Sequence, residues 1–174
     1  VALSVIYVRI NYLKIIQNQF TVLIFVFFEA FIAHTAMLPM SEDDLITDAD
    51  QIIHGTVNQI SSQWSEDRKF ILTYVELQPK GVLKNKTSAV GPTVTVKVVG
   101  GTVDGVTLKV AGMPEFHMGE EVLVFLKKQK TVPSVLNLDQ GKITLRPSHA
   151  KQMSLSSSQT LERVKSRIKE LESK

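Results

Sequence analysis

Asp50-Gln-Ile-Ile-His-Gly-Thr-Val-Asn-Gln-Ile-Ser-Ser-Gln-Trp64 is the stretch on which the fold turns. Ile53, Gly55 and Val57 alternate on one side, the period of a half-buried strand. Ile60, Ser62 and Trp64 resume the alternation only after a slip of one residue. A β-bulge near Asn58–Gln59 produces such a slip, and bulges bend strands. A bend and Gly55 within one long strand suit a small closed barrel, whose strands must curve sharply.

Downstream, Ser65-Glu-Asp-Arg68 reads as a hairpin turn. Lys69–Leu77 reads as a strong strand, ended or distorted by Pro79-Lys80-Gly81. Thr93–Val99 presents Val94, Val96 and Val98 inward, and Val106, Leu108 and Val110 share another face. Between them lies Gly100-Gly-Thr-Val-Asp-Gly105, where Gly100, Gly101 and Gly105 are turn positions with φ > 0. The loop Gly112–Gly119 delivers Glu120 and Glu121 to Val122-Leu-Val-Phe-Leu126, an apolar run without alternation that predicts cover on both sides. Val135–Asp139 and Lys142–Arg146 are expected to form a last hairpin. Ser154–Ser158 reads as a polar linker, and Leu161, Val164, Ile168 and Leu171 give Gln159–Lys174 a docking stripe at helical spacing.

Upstream, Ser41 is a good N-cap for a short helix carrying Leu45 and Ile46, with Glu42, Asp43 and Asp44 at its positive end. Before it, Phe20–Ala36 is apolar and follows Arg9 and Lys14. It reads as an export leader, with Ala33 and Ala36 as small residues near a cleavage site. A retained anchor is the alternative, since Thr21–Met40 is about 20 residues, roughly a bilayer span; a buried core helix is a third reading. Glu29 costs about 2.5–3.5 kcal/mol in a stable span and disfavours the anchor. Val1–Val8 reads as upstream sequence and is set aside from the fold. Residues 1–36 are thus expected to be a signal peptide or membrane anchor, 37–150 a β-barrel domain, and 151–174 a linker and amphipathic helix.

The chain has no cysteine, so no disulfide framework stabilises it. Its 20 Lys/Arg against 17 Asp/Glu leave a net charge of +3, too small to argue for nucleic acid. Lysines cluster at Lys80, Lys84, Lys86 and at Lys127, Lys128, Lys130, and read as solvated turns. After the leader the aromatics are Trp64, Phe70, Tyr74, Phe116 and Phe125. Phe70, Tyr74 and Phe125 fall in strands expected to be core, which leaves too few for a single-strand binding groove.

Sequence signals for chemistry are weak. His54, His117 and His149 share no metal-binding spacing, and no G-x-S-x-G elbow occurs. Glu120 and Glu121 are adjacent, so in a strand they point to opposite faces and do not cooperate as acid and base. The expectation is no catalytic residue, no metal and no cofactor. Asn85-Lys-Thr87 fits a glycosylation sequon, a short and common match.

Several stretches resemble a group of uncharacterised exported bacterial proteins: Met40–Val57, Gly100–Gly105, Gly112-Met-Pro-Glu-Phe116, Gly119–Leu126 and Gln140-Gly-Lys-Ile-Thr144. Asp50–Val57 and Gly119–Leu126 are also similar to strands of netrin-like and tissue-inhibitor-of-metalloproteinase domains. The resemblance implies a mainly β fold, a small antiparallel oligonucleotide/oligosaccharide-binding (OB)-like β-barrel with a short N-terminal and a C-terminal helix. Those inhibitors chelate the protease zinc through an N-terminal cysteine, which this chain lacks, so that mechanism does not carry over.

The function expected is a non-enzymatic, extracytoplasmic binding module, secreted, periplasmic or anchored by its N-terminal segment. Its partner is expected to be another protein or an envelope component. Membrane contact arises only if the leader is retained, and nucleic acid is not expected. The alternative is a protease-associated inhibitory or pro-domain-like module. Trp64, Phe116 and His117 are the candidate contact residues, as apolar or polar groups at turns and loops that a partner would cover; Trp64 serves equally as a cap on the core.

Overall fold

The computed structural model describes residues 39–87 and 89–173. The expectations for the leader, Phe20–Ala36, lie outside these residues. The described part is mainly β, with a helix near each end: α1 (Glu42–Asp48), β1 (Gln51–Trp64), β2 (Ile71–Asn85), β3 (Val94–Val99), β4 (Gly101–Val103), β5 (Val106–Leu108), β6 (Glu121–Lys127), β7 (Ser134–Val135), a 3-10 turn (Leu138–Gly141), β8 (Lys142–Arg146) and α2 (Leu155–Glu172).

β1 and β2 form a long antiparallel hairpin, and its register slips three times. One slip falls between Val57 and Gln59, leaving Asn58 as the extra residue, where the broken alternation of the sequence places it. The other two skip Lys80 and Leu83 on β2. Of the two expectations for Pro79-Lys80-Gly81, distortion holds and termination does not: the register slips at Lys80 and β2 runs on to Asn85. Pro79 has no N–H for a ladder, and a bulge accommodates it. Gly55 stands opposite Pro79, and a Cβ there would sit 2.7 Å from the Gln78 carbonyl oxygen. The missing side chain is what lets the two backbones close up.

The strands join in the order β1-β2-β3-β7-β6-β8, with β6 also pairing back to β1. The pairings therefore run in a ring from β1 through β2, β3, β7 and β6 to β1. Two features correct the expected antiparallel barrel. β7 joins β3 in parallel, through the single pair Lys97–Ser134, so the sheet is mixed. β6 pairs with β1 only over Gln51–Thr56, so the ring is not cleanly closed along the second half of β1. β7 and β8 also do not pair with each other as the expected hairpin; both add to β6.

Two apolar layers follow from the pleat. Ile53, Val57, Val75, Leu77, Val94, Val96 and Val98 meet Val122, Val124 and Leu126 inside the curved sheet. On the other face, Ile52, Leu123, Phe125 and Leu145 pack under Leu45 and Ile46 of α1 and Leu161, Val164 and Ile168 of α2. β6 feeds both layers with alternate residues, which explains an apolar run with no polar face. The serine-rich stretch expected as a linker is the start of α2: Ser154 caps it, its hydroxyl accepting from Ser157 N–H. Among the described residues no helix is long and apolar enough to cross a membrane.

Of the clustered lysines only Lys84 is buried; Lys80, Lys86, Lys127, Lys128 and Lys130 are exposed as expected, though some of them also reach a helix end. Lys84 is buried and donates to the carbonyls of Ile46 and Thr47 at the end of α1, joined there by Lys86. Lys127 donates to Asp48 O and lies 3.5 Å from Asp50. Cations at these last carbonyls complement the negative end of a helix. Burial and the neighbouring Lys86 charge push the Lys84 amine below its ordinary range.

Candidate functional site

A cleft of about 740 Å³ opens where β4, β5 and the following loop lie over the inner face of β1, β2 and β3. Its floor includes Ile60, Ser62, Thr73, Val75 and Val98; its far wall includes Leu108, Met113, Phe116 and His117. Apolar walls and a few hydroxyls line it.

The floor depends on Gly100 and Gly101, at φ +115° and +128°. Thr73 Oγ1 donates to Gly100 O at 2.6 Å and lies 2.8 Å from Ser62 Oγ. A Cβ on Gly101 would fall 2.3 Å from Thr73 Oγ1 and 2.6 Å from Ser62 Oγ. Only a glycine lets the chain cross this hydroxyl pair. The roof is a tight hairpin in which Asp104 and Gly105 both have positive φ, 51° and 78°, as a two-residue turn with the strand twist requires.

The rim loop is fixed from below. Glu120, 3% exposed at its side chain, meets Lys142 Nζ at 2.7 Å and accepts from His117 N–H at 3.0 Å. The same ammonium donates to Glu115 O and lies 4.6 Å from the centre of the Phe116 ring. One buried cation thus holds three points of the loop. Its contacts are charge-assisted and, for Phe116, cation–π.

Glu121 points the other way, as adjacent strand residues do, and collects a second set of partners. Its carboxylate lies 2.7 Å from His54 Nε2, 2.5 Å from Lys80 Nζ and 3.4 Å from Arg146 Nε. Burial by itself raises an acid. Here the hydrogen bonds from Lys80 and His54, the Lys80 charge and the Arg146 contact outweigh it and bring the Glu121 carboxyl from 4.5 down to about 2. An ionised carboxylate only accepts, so Nε2 of His54 carries the hydrogen. Arg146 also donates to Gly119 O and Ala150 O, tying the loop's end to the residues after β8.

Of the residues expected from the sequence, Phe116 and His117 come together on the cleft wall, half-buried and exposed respectively. Trp64 is half-buried at the end of β1 opposite Ile71, two residues beyond Ser62, and is not in the cleft lining. His54 packs on Glu121. The expected contact loop Gly112–Met118 walls the cleft through Gly112–His117, whereas Ser62, Thr73 and Lys142 were missed, because no local pattern marks a residue whose role comes from a distant partner. Among the described residues no group of three or more His, Asp or Glu side chains is placed to hold a metal ion. The sequence matches no protein-family model and no curated protein.

Proposed function

We propose that the described body is an OB-like barrel acting outside the cytoplasm as a non-enzymatic module that binds another protein at this cleft. The ring of pairings β1-β2-β3-β7-β6-β1 supports the barrel reading. The apolar stretch ahead of residue 37, preceded by basic residues, supports export.

One observation carries the binding reading. The large hydrophobic side chains of Val106, Val110 and Met118 are 50%, 37% and 56% exposed, and all belong to the segment that roofs or rims the cleft. Val110 lines the cleft itself, and Val106 and Met118 lie next to lining residues on the same segment; apolar groups left in water together mark a surface a partner covers.

The test is affinity capture from an envelope extract with the tagged full chain and with its Met118→Asp and Val106→Asp variants. The reading expects a protein retained by the parent chain and lost from both variants. Equal capture by all three, or none by any, defeats it. N-terminal sequencing of the cellular protein tests the export half: a start shortly after Ala36 agrees with it, and a soluble chain with Phe20–Ala36 intact does not.

A further inference from the structure

We infer that the half of β1 from Ile60 to Trp64 is a docking edge for an extended segment of the partner protein, which adds to the sheet as a strand. This rests on the protein-binding reading above and specifies how the partner is held.

β1 is 14 residues long, but β6 covers only its first part, Gln51–Thr56. Val57 makes the last contacts on that side, donating to Glu120 O and accepting from Gly119 N–H. From Gln59 to Trp64, among the described residues, only β2 pairs with β1.

The direction of the backbone groups follows from the turn. Ser65 N–H donates to Phe70 O. Antiparallel pairs alternate between bonded and non-bonded. Gln63, Ser61 and Gln59 therefore turn their N–H and C=O toward β2, whereas Trp64, Ser62 and Ile60 turn theirs to the side on which no described strand pairs. The bond from Gly100 N–H to Ile71 O has the same phase, since Ile71 is the partner of Trp64 and directs its carbonyl away from β1.

Proteins usually guard such an edge with lysine, proline or a covering segment. Asn58-Gln-Ile-Ser-Ser-Gln-Trp64 carries no charge and no proline, and β4, which crosses its inner face at Ser62, does not pair with it. The residues with outward backbone groups, Ile60 and Ser62, also line the cleft. A strand laid beside them satisfies their N–H and C=O groups and turns every second side chain toward Leu108, Met113 and Phe116. Lys109 and Glu115 at the rim lie 3.7 Å apart and neutralise each other, so an uncharged strand with alternate apolar residues is the complementary occupant.

The probe is a phage library of random dodecapeptides panned on the full chain, followed by the enriched peptide made synthetically. The expected peptide alternates apolar residues. N-methylating its alternate amides weakens binding about tenfold, the worth of one or two hydrogen bonds. Bound peptide slows amide exchange at Ile60, Ser62 and Trp64. Ser62→Pro, which removes an edge donor that β2 does not use, weakens binding similarly; if that variant fails to fold, exchange in the unchanged chain decides. A peptide that protects Met113–Met118 but not those three amides overturns the edge and leaves the protein-binding reading standing. Absence of any enriched peptide also overturns the edge, and loss of partner capture by Met118→Asp then separates the two failures. Self-association through this edge, seen by sedimentation and not displaced by peptide, overturns it as well.

Discussion

Glu121 Oε1 lies 2.7 Å from His54 Nε2, a diagonal contact between β6 and β1 where those two strands pair. Lys80, beside the second bulge of β2, closes on the other oxygen of the same carboxylate. Three strands that bend around one another are thus joined at a single nearly buried anion.

That anion makes stability depend on acid. A carboxyl depressed from 4.5 to about 2 contributes stability that is complete above the higher value and disappears as pH falls through the lower one. The contribution is on the order of 3 kcal/mol. Urea unfolding of the parent chain and Glu121→Gln at a series of pH values should show the gap between them largest near neutrality and shrinking between about pH 4.5 and 2. A gap that stays constant over that range contradicts the assignment.

Lys142 offers a second test. Removing one partner of a buried pair leaves the other charge uncompensated, at a cost of about 3–5 kcal/mol, or less where water reaches it. Lys142→Met should therefore cost roughly 2–4 kcal/mol by leaving Glu120 without its cation, and it should free the rim loop. Faster exchange of the His117 amide and earlier proteolytic cutting between Gly112 and Met118 are the readouts. Unchanged exchange there would mean that the loop is held by something other than this ammonium.

The glycines of the connection after β3 are predicted to differ sharply. Gly101→Ala places a methyl within 2.3 Å of Thr73 Oγ1 at a φ of +128°, so overpacking and backbone strain add, to about 2–4 kcal/mol. Gly105→Ala meets nothing within 4 Å at φ +78° and should cost about 1 kcal/mol from the backbone alone. Thermal unfolding of the two variants should rank them in that order. The reverse ranking would remove the argument that Gly101 is needed for close approach.

The rim residues should behave oppositely to the core. Met118→Asp changes a side chain 56% exposed and should leave stability within about 0.5 kcal/mol while abolishing partner capture. Phe125→Ala, fully buried between β6 and the helices, should cost about 3–5 kcal/mol. Circular dichroism melts of both variants separate surface from core.

Much of the strand pattern was legible because it is local. Val94, Val96 and Val98 alternate in the sequence and are buried in the structure, and the broken alternation after Val57 marks the bulge at Asn58. The unbroken run Val122–Leu126 announced cover on both sides, and both apolar layers draw on it. Ser41 and the stripe Leu161, Val164, Ile168 likewise announced the two helices. Pro79 left open whether the strand ends or only distorts, because its effect depends on what stands opposite, and Gly55 is 24 positions away in the chain. Lys84 misled for the same reason: charge in a turn-like sequence reads as solvated until a helix end arrives to accept it.

The sequence by itself thus determined most of the strands, the existence of both helices and much of their apolar sides, but not every boundary, since side-chain period and caps are properties of neighbouring residues. It did not determine the cleft. Ser62, Thr73 and Gly101 meet only because three strands curl together, and Glu120 and Glu121 acquire separate partners only once β6 is flanked by β1 and β8. The parallel step from β3 to β7 and the end of β6 pairing at Thr56 of β1 also belong to the tertiary structure. Pairing between strands far apart in the chain is set by how the whole apolar surface closes, and no local pattern encodes it.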